Sequence, residues 1–332
     1  MAETPRHSGT DSLLRDVSRS FYKTLRVLPS AVRPQIGLAY LLARTTDTIA
    51  DTAIVPAEKR LQALQHFRQR IAGTTAPLEL GSLAQQQGSA AERILLERCE
   101  ESLERLLRAP PSDQKLIREV LEIITSGQEL DLRRFAGASA ERLTALHTDS
   151  ELDDYTYRVA GCVGEFWTKI CRAHLFAGAP LDDATLLNQS VHFGKGLQLV
   201  NILRDLPKDL RQGRCYLPSE ALAGRGLSPS DLLDSARERD VRPFYSIYLD
   251  RAEAYLRTGW VYTNSLPRKC VRVRLACAWP ILIGLATTRL LRERNFLDSR
   301  ERIKVSRREV KRIIRRSVLL YPFGSSWRRL VK

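Results

Sequence analysis

Two aspartate pairs, each spaced i to i+4, are the residues of this sequence most able to do chemistry. Asp47 and Asp51 lie in "YLLARTTDTIAD", and Asp205 and Asp209 lie in "LQLVNILRDLPKDL". Residues four apart on a helix share one face, one turn above the other. Each pair therefore aims two carboxylates at one patch of space, where like charges repel. A hard divalent cation removes that penalty, because Mg²⁺ favours carboxylate oxygens and substrate phosphates. Two such pairs, far apart in sequence, point to a diphosphate held through metal ions between two helices.

The neighbours of each pair extend it into a stripe. Tyr40, Arg44, Asp47 and Asp51 follow at steps of 4, 3 and 4, with apolar Leu38, Leu41, Leu42 and Ile49 around them. Gln198, Asn201, Asp205 and Asp209 form the second stripe, with Arg204 beside it. Asn201 offers a neutral oxygen, and an arginine such as Arg204 takes phosphate oxygens bidentately. A solvated surface face would explain either stripe alone, and Arg44 with Asp47 would then be an exposed ion pair worth little. The repeat of one geometry on two helices favours a site.

The elements that must position these residues read as helices almost throughout. Apolar residues recur at three and four in 11–28, 34–52, 57–72, 91–108, 113–135, 151–176, 183–211, 245–264, 271–294 and 306–320. Breakers separate them, among them Pro29, Pro110-Pro111 and Pro267. Ser18 is a candidate helix cap, "LSPSDLL" reads as a cap followed by a helix start, and 73–91 reads as an exposed connection. No repeat of fixed period and no long linker appear, so one all-α domain over 1–332 is expected, with a core of about 18–312 and a basic, aromatic tail, 313–332. In "YRVAGCVG", 157–164, the small residues at 160, 161 and 164 allow close helix approach or room for a long ligand. Tyr155 and Tyr157 bring hydroxyls near it. "CAWPILIGLATTRLL" reads as a buried helix kinked at Pro280.

Composition sets bounds. The 332 residues, 43% of them hydrophobic, suffice for a sizeable core. No run of 18 apolar residues and no signal peptide are read, which makes a cytoplasmic location the default expectation. Six cysteines without a C-x-x-C pair are expected to be reduced thiols. Of the net charge of +15, residues 289–332 carry 15 Lys/Arg against 4 Asp/Glu, a net of +11. Such a segment suits an anionic surface or ligand, or is simply a solvated helix face.

Taken in order, "S-R-S-F", "D-T-x-x-D", "Y-x-Y-x-V-A-G-x-V-G", "L-Q-x-x-N-I-x-R-D-x-x-x-D" and "Y-L-P" resemble the motifs of the squalene/phytoene synthase family, the head-to-head prenyl transferases. The resemblance runs from about Ser18 to about Arg312. It implies an isoprenoid synthase fold around a central cavity, with Asp47, Asp51, Asp205 and Asp209 as ligands of Mg²⁺, or of Mn²⁺ in its place. It further implies that Arg19, Arg44 and Arg204 contact diphosphate with Gln198 and Asn201, and that Phe21, Tyr40 and Tyr157 stand near the reacting carbons. Ala50 and Lys208 stand where squalene synthases often carry a third acid. Arg158 stands directly before V-A-G, where eukaryotic squalene synthases carry a tyrosine, and Tyr157 lies one position earlier. In the C-terminal third, Cys277 and Pro280 match a pocket helix, and Arg302 and Lys304 are candidates for binding NADPH phosphates.

The resemblance thus implies a squalene synthase that joins two farnesyl diphosphates to presqualene diphosphate and reduces it with NADPH. Its non-reductive alternatives give dehydrosqualene, hydroxysqualene, presqualene diphosphate or phytoene. A basic helical scaffold binding membrane or nucleic acid is the alternative of another class. The four aspartates and the lack of a nucleic-acid motif argue against nucleic acid. The tail "SVLLYPFGSSWRRLVK" is expected either to touch an anionic membrane peripherally or to dock on the core.

Overall fold

The three- and four-residue spacing of apolar side chains becomes helix nearly everywhere it was read. The computed structural model describes residues 8–18, 21–52, 54–74, 77–78, 80–300 and 302–331. Two compact units make up the described chain. The first is drawn from residues up to Arg133 together with Lys169–Leu175, and the second from Arg134–Thr168 and from Phe176 onward.

The first unit holds α1 (Ser8–Ser18), α2 (Phe21–Val27), α3 (Arg33–Asp51), α4 (Ala57–Ala72), α5 (Gly81–Gln85), α6 (Ala90–Glu97), α7 (Cys99–Arg108) and α8 (Pro111–Arg134). Helix α3 is its axis. Ile36, Leu38, Leu41, Leu42 and Ile49 are buried, and α4, α6 and α7 pack on it. The threonines of "RTTDTIADT" explain how so polar a stretch can be buried. Thr45, Thr48 and Thr52 return their hydroxyls to the carbonyls of Leu41, Arg44 and Thr48 at 2.9, 2.8 and 2.6 Å. Each hydroxyl proton is thereby satisfied within the helix, and the Thr52 oxygen also accepts from Gln87 Nε2 at 2.7 Å.

Two expectations change here. Ser18 closes α1 instead of capping a following helix, and its hydroxyl is buried. The stretch 73–91 is not a plain loop: it contains α5, whose Leu83 and Ala84 are buried.

The second unit holds α9 (Asp149–Thr156), a π-helical turn (Tyr157–Gly161), the start of α10 (Cys162–Leu175), α11 (Asp183–Arg211), α12 (Ser219–Ala223), α13 (Glu238–Ser265), α14 (Val271–Glu293), α15 (Arg307–Leu320) and α16 (Gly324–Arg328). A parallel pair of two-residue strands, β1 (Thr144–Ala145) and β2 (Arg214–Cys215), is the sheet among the described residues. Ser228 and Asp231 form a capping box, as "LSPSDLL" suggests, but the element that follows is a 3-10 turn, Pro229–Leu233.

Helix α11 is the axis of this unit, flanked by α13, α14 and the π-helical turn. Glycines set the closest approach. A Cβ on Gly164 would collide with the Ser190 carbonyl, and one on Gly194 with the Ala160 carbonyl. The small residues of "YRVAGCVG" therefore serve tight backbone contact with α11.

Helix α14 bears on the reading that no helix spans a membrane. It is long and apolar enough to cross a membrane, but 67% of its apolar window is buried inside the protein, as in a core helix. It runs unbroken through Pro280, and α13 starts seven residues before the periodicity suggested, running on through Pro243.

Candidate active site

In the first unit, the α3 stripe is assembled as its spacing requires. Tyr40 and Arg44 are half-buried, and Asp47 and Asp51 are exposed. The Arg44 guanidinium holds Glu92 of α6 through a short ion pair and Asp47 Oδ2 at 3.5 Å. Gln128 of α8 donates to Asp47 Oδ1 at 2.6 Å. The Tyr40 hydroxyl lies 3.5 Å from the Val17 carbonyl.

Burial, with the negative charge of Asp51 beside it, pushes the Asp47 carboxyl up to about 6, against the pull of Arg44 and Gln128. About half of the side chain, 51%, is still reachable by solvent, so protein crowds Asp47 without sealing it from water. Two polar atoms next to this carboxylate, Arg44 Nε and Gln128 Oε1, are buried without a hydrogen-bond partner. A buried polar atom left unpaired costs about 1–3 kcal/mol. These atoms and the repelling carboxylates mark a place organised for a polar, charged ligand. Arg19 lies outside the described residues, and so does the side chain of Phe21.

In the second unit, Asp205 is held between two guanidinium forks. Arg204 donates to Oδ1 and Oδ2 at 3.0 and 2.6 Å. Arg302, in the segment between α14 and α15, donates to the same two oxygens at 3.0 Å each. Burial alone would raise this carboxyl, but the hydrogen bonds and charges of the two arginines outweigh it and hold Asp205 below the ordinary carboxylate range. Asp209 is half-buried one turn on, and exposed Asn201 meets Gln198 Oε1 at 3.5 Å. Lys304 is exposed. A recess of about 220 Å³ opens here, bounded by Arg204, Lys208, Arg211 and Arg302.

The π-helical turn aims Tyr157. Its hydroxyl donates to Glu165 Oε1 at 3.1 Å. Burial and the nearby Glu165 charge push the phenol up to about 12, so it stays protonated at neutral pH. Lys195 of α11 grips Asp153 at 2.7–2.8 Å and lies 5.8 Å from the Tyr157 ring centre. Arg158 forks onto Asp154. Tyr155 is turned away into an aromatic stack with Tyr216, 4.6 Å between ring centres. Cys277 is buried on α14, its thiol pushed up to about 12 by that burial, and Pro280 is half-buried one turn on.

Sequence reasoning missed Gln128, Glu92 and Glu165. Gln128 and Glu92 belong to helices distant from α3 in sequence and carry no motif of their own. Glu165 lies one residue beyond the glycine-rich segment and was readable as an acid eight residues after Tyr157.

The residues fit a divalent cation in a specific way. Among the described residues, no three His, Cys, Asp or Glu side chains converge as ligands of one ion. Each pair instead offers two carboxylates, as Mg²⁺ uses when substrate phosphates and water complete its six positions. The charge repulsion at Asp47 is what such an ion would relieve.

Comparison with known proteins gives a consistent result. The family model for squalene/phytoene synthase matches residues 14–309. The presqualene diphosphate synthase of Rhodopseudomonas palustris is 30% identical over 291 residues, 87% of this chain and 88% of that protein. The 15-cis-phytoene synthase of Synechocystis sp. is 31% identical over 272 residues, 81% of this chain and 70% of that protein. Among solved structures, a ligand complex of TcSQS superposes with a TM-score of 0.76 at 24% identity, covering 92% of this chain and 84% of that one. That likeness establishes the isoprenoid synthase fold.

Proposed function

Because the chain belongs to the squalene/phytoene synthase family of prenyltransferases, we propose that it joins two farnesyl diphosphates head to head into presqualene diphosphate. The observation that carries this reading is the Asp47 site. There, a carboxylate with a raised pKa and a second carboxylate one turn on share a face of α3, beside two buried polar atoms without a hydrogen-bond partner, Arg44 Nε on α3 and Gln128 Oε1 on α8. The similarity to the presqualene diphosphate synthase over most of both chains supports the same product.

Asp47 with Asp51, and Asp205 with Asp209, would hold Mg²⁺, which would supply the positive charge that makes diphosphate a leaving group. The residues of the chain do the rest. Arg44, anchored by Glu92, takes phosphate oxygens of the departing group, and Arg204 does the same from α11. The allylic C–O bond of one substrate breaks, and its C1 cation is attacked by the C2–C3 double bond of the other. Tyr40 lends an aromatic face to the cation. The new bond to C2 leaves a cation at C3, and loss of a proton from C1 of the ionised substrate lets that carbon bond C3 as well, closing the cyclopropane and leaving the second diphosphate in place. Tyr157, hydrogen-bonded to Glu165, accepts that proton as its own hydroxyl proton moves to the Glu165 carboxylate, so the phenol stays neutral and Glu165 ends protonated.

Incubating the purified protein with farnesyl diphosphate and Mg²⁺, without reductant, tests this. Presqualene diphosphate is expected, with none when EDTA is added. An inert mixture or a C40 product from geranylgeranyl diphosphate alone would overturn the reading.

A second reading continues the reaction to squalene with NADPH. The recess lined by Arg204, Lys208, Arg211 and Arg302, with Asp205 and Asp298 among them, favours it, Lys208 and Arg211 offering charge to dinucleotide phosphates. Squalene formed only when NADPH is added would establish this continuation. An unchanged product would confine the chain to the first half-reaction.

A further inference from the structure

Helix α15 has two dissimilar faces. On its inner side Ser317 is fully buried and accepts the Trp279 indole N–H at 3.0 Å, with Val310, Ile313 and Ile314 half-buried alongside. On its outer side Arg308, Lys311, Arg312, Arg315 and Arg316 are exposed. At the C-terminal end of that side, large apolar groups join them: Leu319 is 70% exposed and Phe323, just beyond the helix, 62%. A recess of about 650 Å³ runs between the two kinds of residue, bounded by Arg312, Arg315, Arg316, Leu319 and Arg329.

This corner is held firmly. Tyr321 donates its hydroxyl to the Arg268 carbonyl at 2.6 Å. Trp327 is buried, stacked 5.0 Å from Trp260, and donates to Asn264 Oδ1 at 2.9 Å. The Trp260 indole N–H reaches the Arg328 carbonyl at 3.3 Å. The tail thus divides. Tyr321 and Trp327 dock on α13 and the turn after it, while Leu319 and Phe323 are presented to solvent from a backbone the docked rings fix.

We propose that the outer face of α15 and the turn after it dock on an anionic lipid bilayer, Leu319 and Phe323 entering the headgroup boundary and the arginines pairing with lipid phosphates. Charge selects this partner. From residue 307 to 332 the sequence carries nine Lys/Arg and one acid, Glu309, which already lies 3.5 Å from Arg312. Each basic residue near an anionic leaflet strengthens binding about fivefold. The apolar groups decide between polyanions. A nucleic-acid backbone would bury neither Leu319 nor Val318, whereas a bilayer accepts both at the depth where basic side chains meet phosphate. Exposed apolar groups ringed by arginine are the pattern of an interfacial contact.

Vesicle flotation of the full chain at 0.15 M salt tests the proposal without any substrate, so it stands or falls separately from the prenyltransfer reading. The vesicles are phosphatidylcholine alone, or phosphatidylcholine with about one third phosphatidylglycerol. The protein is expected to float with the second and not the first. Leu319→Ser with Phe323→Ser should weaken partitioning about tenfold, and Arg315→Glu with Arg316→Glu should abolish it. All four side chains are exposed, so the variants should keep the wild-type circular dichroism and the wild-type turnover on detergent-dispersed substrate. Equal binding to both vesicles, binding to neither, or indifference to the Leu319 and Phe323 changes would each overturn the proposal. Release by 10 mM inorganic phosphate would overturn it in favour of a small-anion site, and tighter binding of single-stranded RNA than of anionic vesicles in favour of a nucleic-acid surface.

Discussion

Arg302 and Asp205, 97 residues apart in sequence, meet fork to fork, with Nε on Oδ1 and Nη2 on Oδ2, both at 3.0 Å. The carboxylate proposed to hold a metal therefore already has a cation on each of its oxygens, and Arg204 doubles it. A guanidinium and a divalent ion compete for the same lone pairs. Arg302 is 60% exposed, which limits the strength of its hold. Replacing Arg302 by Gln should lower the Mg²⁺ concentration for half-maximal diphosphate release about threefold. A titration of Mg²⁺ against released diphosphate measures it, and a rise instead of a fall would mean that Arg302 helps to bind substrate or cofactor.

Asp47 carries a charge the fold resists. Its folded pKa of about 6 lies above the unfolded carboxylate value, so the native state favours the protonated form. The stability tied to this group is present at low pH and lost as pH rises from about 4 through 6. Above 6 the charged carboxylate destabilises the metal-free protein, by about 1 kcal/mol once its exposed half is discounted. Asp47→Asn should therefore raise the melting temperature at pH 7.5, with the gain shrinking at pH 5. Turnover should fall at least 100-fold, because several kcal/mol of charge stabilisation are lost with the ion. Thermal denaturation at the two pH values, beside an assay with farnesyl diphosphate, reads both effects.

Protons should compete with the metal at the same carboxylate. Apparent Mg²⁺ affinity is expected to weaken as pH falls from 7.5 to 5 in the parent protein, since Asp47 must lose its proton to bind. The same titration on Asp47→Asn should lack that dependence below pH 6.5.

Tyr157 stays neutral, its phenol pushed up to about 12 and its hydroxyl donating a hydrogen bond to Glu165. No alkaline break from this residue should enter the pH profile below about 10. Tyr157→Phe is expected to lower kcat about tenfold, and Glu165→Gln to lower it similarly, with little change in KM. Additive losses in the double variant would mean that the two do not act as one unit.

Where glycine backbones touch, a methyl group should be costly. Gly164→Ala drives a Cβ into the Ser190 carbonyl and Gly194→Ala drives one into the Ala160 carbonyl. Each should destabilise the protein by about 2–3 kcal/mol, read as a shifted denaturant midpoint. Gly81→Ala, where a Cβ meets nothing within 4 Å, is the matched control.

What the sequence determined by itself was local. Helix periodicity placed the long elements, because one apolar stripe per helix is written into 3.6-residue spacing. The i to i+4 aspartates had to share a face once α3 and α11 formed. Motif order carried the family. Short elements such as α5 and the two-residue strands escaped, since their stability comes from partners and not from a pattern of their own. Only tertiary structure decided which charges meet. It brought Gln128 and Glu92 to the α3 stripe, put Arg302 on Asp205, and sent Trp327 inward while leaving Leu319 and Phe323 outside. Those outcomes depend on the distance between side chains on separate helices, a quantity set by packing and not by spacing along the chain.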